Sequence, residues 1–218
     1  ATGPVNSYTA GAVETNVEEY NIEKAKEYLA QSKYADTYGD YTVEIMCNSD
    51  IQKEEKVCLA FQAAAAQIGV KVEISKAPWV TIQENVSNPD TTPNMISINS
   101  GPQYNEAGAT LESYAHSKTC GTYENVSWLQ NADLDKQIED ALATVDRDER
   151  FAKYADIQNR IVDEFYPGAF LVNLADRVAY QSSYLEWPAV QPVDGELATN
   201  LMGYHYYFPD MRLHLDKK

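Results

Sequence analysis

The chain has 218 residues, 44% of them apolar, with a formal net charge of −16 and a pI near 4.5. That length suits one large domain or two small ones. The acidity argues against a nucleic-acid or anionic-lipid partner, because both need clustered Lys and Arg, and it reads as a solvated, soluble surface. No apolar run approaches the ~20 residues that a bilayer-spanning helix needs. The first residue is Ala rather than Met, as in a processed protein or part of a longer one.

Residues 1–19 are small and polar and read as an extended or looped lead-in. Asn21 is a helix cap, followed by Ile22, Ala25 and Leu29 on one face, with the helix ending near Tyr34. The stretch 41–76 is the unit around which the rest is organised. Tyr41, Val43, Ile45 and Cys47 alternate with Thr42, Glu44 and Met46, the period of a strand. Ser49 and Asp50 offer caps, with Gln52 placed as in a capping box. Val57, Ala60, Phe61, Ala64, Ala65 and Ile68 then form a helical stripe that Gly69 ends. Val70, Val72 and Ile74 begin a second strand. Strand, crossover helix and strand predict a parallel pair. Ligands of such sheets sit beyond the carboxyl ends of the strands, here 48–50 and 77–79.

Pro78 and Trp79 open a short helix through Val86, and 95–99 is a short strand broken by Ser100, Gly101 and Pro102. A short helix is predicted at 111–116, and 118–128 is irregular. Asn131 caps a helix with Leu134, Ile138, Leu142 and Val145 facing inward. Asp146 and Glu149 form a capping box for the next, whose stripe is Tyr154, Ile157, Ile161 and Phe165. The apolar run 169–174 predicts a buried strand, continued or neighboured by 177–180. From Ser182 onward the period is lost, and Trp187 and the aromatic cluster 204–208 need something to pack on.

Chemistry is sparse. Carboxylates near helix starts, such as Asp133 and Asp135, suit the helix dipole better than acid–base work. Three cysteines, Cys47, Cys58 and Cys120, permit at most one internal disulfide. His116, His205 and His214 have no metal-ligand spacing, and no cofactor or metal is expected. There is no nucleophile elbow and no phosphate loop. Ser117, His116 and Cys120 are close in sequence, and a small hydrolase built on His116 or a cysteine stays an alternative. An interaction module docking through its aromatic tail is another. Trp79 stands beside a strand end, where it either plugs the sheet or walls a pocket; its position favours neither. Trp128 and Tyr114 are similar cases.

Several blocks together resemble one family. They are YNIEKAKEYL at 20–29, QIGVKVEI at 67–74 followed by Trp79, Tyr104-Asn105-Glu106, and NADLDKQI at 131–138 with Arg150, Tyr154 and Gln158. The opening ATGPV is a further block. The chain resembles the peptide-type (family 5) extracellular solute-binding proteins of ABC importers, which include dipeptide-, oligopeptide- and nickel-binding members. The resemblance implies an α/β, periplasmic-binding-protein-like (type II) lobe, a mixed sheet with flanking helices. It implies that 1–183 form a carboxyl-terminal ligand-binding lobe, and that 184–218 are a tail returning to an amino-terminal lobe not in this chain.

The function so implied is capture of a small solute, a peptide in the leading reading, and its delivery to ABC permease subunits outside the cytoplasm, with possible lipid anchoring and no catalysis. A non-peptide solute, such as an oligosaccharide or a metal chelate, is the alternative. Ligand contacts are expected at Trp79, Asn99, Ser100, Gly101, Gln103, Tyr104, Glu106 and Trp128. The sequence departs from the family pattern twice. Ser100 stands where a Trp is common. Gln103 stands where an acidic residue often holds a peptide's amino group, with Glu106 as a nearby substitute.

Overall fold

A computed structural model describes residues 1–174, 178–190 and 208–217. The chain forms two compact units. One, the sheet unit, comprises Glu18–Ser100 and Ser117–Gln130. The other, the helical unit, comprises Ala1–Val17, Gly101–His116 and the described residues from 131 onward.

The sheet unit contains α1 (Ile22–Gln31), β1 (Thr42–Asn48), α2 (Gln52–Ala66), β2 (Lys71–Ala77), α3 (Trp79–Val86) and β3 (Met95–Ile96). β1 is central, in the order β2-β1-β3, and both pairings are parallel. The register runs from Thr42 opposite Lys71 to Asn48 opposite Ala77. The alternation in β1 sends its side chains into two cores. Met46 packs with Ala77, Ile82 and Val86 on the α3 side. Ile45 and Cys47 pack with Cys58, Phe61 and Val72 on the α2 side. Covering both faces buries the last four residues of β1, as expected of a central parallel strand.

Local chemistry sets the ends of these elements. Asn21 caps α1 by accepting from the Lys24 N–H at 2.9 Å, and the helix stops at Gln31, three residues before the predicted Tyr34. Gly69, at φ 78°, ends α2 in a Schellman pattern: its N–H reaches Ala66 O, and that of Val70 reaches Ala65 O. The predicted capping box at Ser49 is absent. Ile51 holds the N-cap position without a side-chain bond, and Asn48 Oδ1 instead accepts from the Asp50 N–H at 2.9 Å. The stripe of α2 keeps Val57, Phe61, Ala64, Ala65 and Ile68 buried or partly buried, as predicted, and departs from the prediction at one position. Ala60 is exposed, and the stripe also takes in Glu54 and Cys58. Glu54 extends the buried stripe into the first turn, its Oε2 accepting from the buried Asn48 N–H at 3.1 Å. An apolar groove of about 370 Å³ between α1 and α2, lined by Tyr20, Ile22, Tyr28, Phe61 and Ile68, lies toward the amino end of β2.

The helical unit contains α4 (Ala107–Ala115), α5 (Ala132–Leu142), α6 (Arg147–Arg160), β4 (Leu185–Glu186) and β5 (Arg212–Leu213). The caps are as predicted: Asn131 accepts from the N–H groups of Asp133 and Leu134, and Asp146 from that of Glu149. Glu149 does not reach back; it pairs with Lys153 at 2.8 Å. Leu134, Ile138, Tyr154 and Ile157 are buried as the stripes predict. Val145 is not, at 94% exposure, because α5 has ended and Val145 lies in the connection. α6 passes into a wider π turn, Ile161–Phe165, closed by Tyr166 at φ 46°. The buried Gln158 fastens the lead-in segment. Its Oε1 accepts from the Val13 N–H at 3.1 Å, and its Nε2 donates to Gly11 O at 2.8 Å.

One prediction fails plainly. Residues 169–174 form no strand, and Leu171, Val172 and Leu174 are 55%, 62% and 45% exposed. An apolar run is buried only where another element supplies its hydrogen bonds and cover, and no described element pairs with this one. The only antiparallel pairing among described residues is β4 with β5, within 184–218. The mixed strand directions of the expected fold therefore fall on two sheets. Trp187 is buried and packs edge-on to Tyr180 at 5.6 Å. Arg177, His205 and most of the 204–208 cluster lie outside the described residues.

Candidate functional site

The carboxyl ends of the three parallel strands carry a group of aromatic and polar side chains. Trp79 begins α3 directly after β2 and is half-buried. Its indole meets the Tyr123 ring edge-on at 5.0 Å, and both pack against the Met46–Ile82 core. Burial, helped by neighbouring Glu124, raises the Tyr123 hydroxyl pKa. Glu124 Oε1 in turn accepts from Ser100 Oγ at 3.3 Å. The exposed Asn99 donates its Nδ2 to Glu54 Oε1 at 3.3 Å. Glu54 thus bridges the end of β1 and the chain leaving β3, with one carboxylate oxygen for each. The arrangement offers a flat aromatic surface beside exposed amide and hydroxyl groups, which suits a ligand with apolar parts and hydrogen-bonding edges.

Trp128 belongs to the same unit and is pinned. Its Nε1 donates to Thr92 Oγ1 at 2.9 Å, and its backbone lies in the left-handed region at φ 54°. A side chain on Gly121, itself at φ 83°, would come within 3.2 Å of the Trp128 ring. A bulky residue held so must be over-determined by its surroundings.

The other sequence-predicted residues belong to the helical unit. Gly101, Gln103 and Tyr104 are exposed. Glu106 is half-buried and committed to internal partners. Arg150 grips it with two bonds, Nη2 to Oε1 at 2.7 Å and Nε to Oε2 at 3.1 Å, and the Tyr154 hydroxyl donates to Oε2 at 3.1 Å. Those bonds, Arg150 foremost, hold the Glu106 carboxyl below its ordinary pKa. Arg150 also donates to the carbonyls of Thr144 and Val145, so one guanidinium ties the α5–α6 connection to the start of α4.

The residues considered for catalysis have structural partners. The buried His116 lies 3.5 Å from Asp135 and 3.2 Å from Glu139, both on α5. Cys120 donates to Leu129 O at 3.4 Å. Among the described residues no group of His, Cys, Asp and Glu could hold a metal ion, and no helix is long and apolar enough to cross a membrane.

Sequence reasoning passed over Glu54, Tyr123 and Glu124. An acid in the first turn of a helix looks like every other dipole-favoured acid. Tyr123 and Glu124 lie in a stretch without period, where only the fold brings them to a strand end.

Residues 1–121 match the family model described as "Bacterial extracellular solute-binding proteins, family 5 Middle". The chain belongs to this family. It is similar to the oligopeptide-binding protein AppA of Bacillus subtilis (strain 168), at 25% identity over 204 residues, covering 87% of this chain and 33% of that protein. It is also similar to the probable D,D-dipeptide-binding periplasmic protein DdpA of Escherichia coli (strain K12), at 27% over 111 residues, half of this chain and 21% of that protein. The chain thus spans a third or less of the length of these family 5 relatives.

Solved periplasmic binding proteins share the fold. DppA of Helicobacter pylori, solved with the peptide STSA, superposes with a TM-score of 0.63 at 22% identity, over 74% of this chain and 31% of that one. The dipeptide-binding protein of Pseudoalteromonas sp. SM9913, solved with Met-Leu, gives 0.67 at 16%, over 77% and 33%. The α/β periplasmic-binding-protein-like fold expected of a family 5 lobe is the observed one.

Proposed function

We propose that this chain is the carboxyl-terminal lobe of a family 5 receptor that captures a peptide outside the cytoplasmic membrane and delivers it to the permease subunits of an ABC importer. The observation that carries this is the similarity over 204 residues to a protein named for oligopeptide binding. The structure adds a suitable surface: the Trp79–Tyr123 pair beside Asn99 and Ser100, at the strand ends where open α/β sheets take ligands. On the helical unit the exposed Gln103 and Tyr104 are the residues we assign to ligand contact. Glu106 positions that loop through Arg150 and Tyr154. The role is binding without catalysis, and 184–218 serve to join this lobe to the rest of the receptor.

Calorimetry of the full-length receptor against defined di-, tri- and oligopeptides tests the reading. We expect heat and saturation with peptides in the receptor, and much weaker binding by this chain alone. A cleft ligand normally has about 70–90% of its surface buried, of which one lobe supplies only a part. Equal affinity would place the site wholly within this chain. Saturation by an oligosaccharide or a metal chelate, with none by peptides, would overturn the peptide assignment.

A further inference from the structure

Cys47 and Cys58 are both fully buried in the core between β1 and α2, and both belong to the cluster built on Ile45. Cys47 is the penultimate residue of β1, and Cys58 lies in the second turn of α2 on its inward stripe. Both are free thiols in this structure. Cys120 belongs to the same unit but bonds elsewhere, to Leu129 O.

We propose that Cys47 and Cys58 form a disulfide when the chain folds in an oxidising compartment, with Cys120 outside the bridge. Oxidation in the cell rests on the extracytoplasmic location proposed above; the choice of pair rests on the fold alone. The oxidant is a disulfide, either that of a thiol oxidoreductase or glutathione disulfide. One protein thiolate attacks a sulfur of the oxidant and expels its first thiol, giving a mixed disulfide. The second protein thiolate attacks the protein sulfur of that bond and expels the second thiol. The two protein thiols lose two electrons and two protons, and the oxidant gains them as two thiols.

Burial dictates when this happens. An oxidant cannot reach either sulfur in the folded core. Desolvation raises the Cys58 thiol to about 12, which suppresses the attacking thiolate as well. The bond therefore forms while α2 docks on β1, once the pair has met and before the core is sealed, and the core then preserves whichever state it closed on. The link would fix the first turns of α2 against the end of β1, where Glu54 holds Asn48 and Asn99.

The test is refolding of the reduced, denatured chain in a glutathione redox buffer, followed by alkylation in denaturant, intact mass and a non-reducing peptide map. We expect a peptide joining Cys47 to Cys58, with Cys120 carrying the alkyl group or a glutathione cap. Three alkylated cysteines, or a bond to Cys120, would overturn the assignment whatever the location of the protein in the cell. The oxidised form should melt about 5–10 °C above the reduced form, the shift expected for closing a short loop in a chain this long. Equal melting temperatures would refute a stabilising clasp. Chain folded under reductant and then given glutathione disulfide should stay reduced at Cys47 and Cys58 for hours, and rapid oxidation would refute the locking. Thiol counting on receptor exported from a bacterial cell tests the location separately.

Discussion

Two carboxylates show how differently the two units use charge. Glu106, in the helical unit, stands in a block that carries the family resemblance, yet both its oxygens are taken by Arg150 and Tyr154. Glu54, in the sheet unit, stands in no such block, yet it organises the polar edge where the strands end. The first is an internal brace joining α4 to α6. The second accepts from a backbone N–H and from an exposed amide, so its effect reaches the surface. An acid in a family block is therefore not by itself a ligand contact. What decides is whether its lone pairs are already taken.

The brace can be broken most severely at Gly108. A Cβ there would overlap the Tyr154 hydroxyl and lie 2.7 Å from Leu142 Cδ2, within a buried turn of α4. We expect Gly108→Ala to destabilise the helical unit by about 3 kcal/mol in urea titration, as overpacking of a tight core does. Gly101→Ala, with nothing within 4 Å of the new atom, should stay within about 0.5 kcal/mol. Similar costs at both sites would mean that the α4–α6 contact is looser than described.

Glu106→Gln acts on the same brace by removing its charge. We expect the melting temperature at neutral pH to fall by roughly 5 °C, because a half-buried guanidinium loses its partner. The folded-state pKa of Glu106 is lowered, so its stabilisation is complete above the ordinary value of 4.5 and is lost as pH falls through the lowered value. Melting curves should therefore show the wild type losing its advantage over Glu106→Gln between about pH 5 and pH 2. A constant gap across that range would mean that the ion pair contributes nothing.

The sequence was most legible where one signal acts alone. Alternation placed β1 and β2, Asn21, Asn131 and Asp146 capped as residues of their type do, and Gly69 ended α2 in a left-handed turn. It was misleading where two signals compete. Ser49 and Asp50 are good caps, but Ile51 takes the N-cap position and Glu54, in the first turn, bonds back to Asn48. The run 169–174 has the composition of a buried strand, but burial depends on a partner that composition does not report. Of the candidate site, Trp79 was legible as a residue beside a strand end, whereas Asn99 and Ser100 entered as ligand contacts only with the family resemblance. Tyr123 and Glu124 come from a distant loop whose path no local pattern encodes.

Trp79 tests whether the sheet unit's edge binds or merely seals. Its indole packs on the α3 core and on Tyr123, so Trp79→Ala should lower the melting temperature. In the full receptor we also expect a loss of about 1–3 kcal/mol in peptide affinity, the range of an aromatic anchor. Tyr123→Ala should move both quantities the same way by less. A lower melting temperature with unchanged affinity of the folded receptor would make Trp79 a plug.

The smallest effect expected is at Gln103, and on the proposed reading it bears on which peptides a full-length receptor would take. An ammonium is held best by a carboxylate, because a charge-assisted bond is about twice as strong as a neutral one. An amide offers one carbonyl oxygen and no charge, so much of the desolvation of an ammonium goes uncompensated. Gln103 is exposed and uncharged, and Glu106, three residues on, is already neutralised by Arg150. The receptor should therefore bind N-acetylated peptides about as well as free ones. Gln103→Asp should raise affinity for free amino termini by about fivefold, close to 1 kcal/mol at a partly exposed site, and leave acetylated peptides unchanged. Matched free and acetylated peptides titrated into both proteins decide it. A strong preference for the free amine in the unmodified receptor, lost on Glu106→Gln, would show that Glu106 gives up Arg150 for the ligand, and would make the two carboxylates more alike than their contacts suggest.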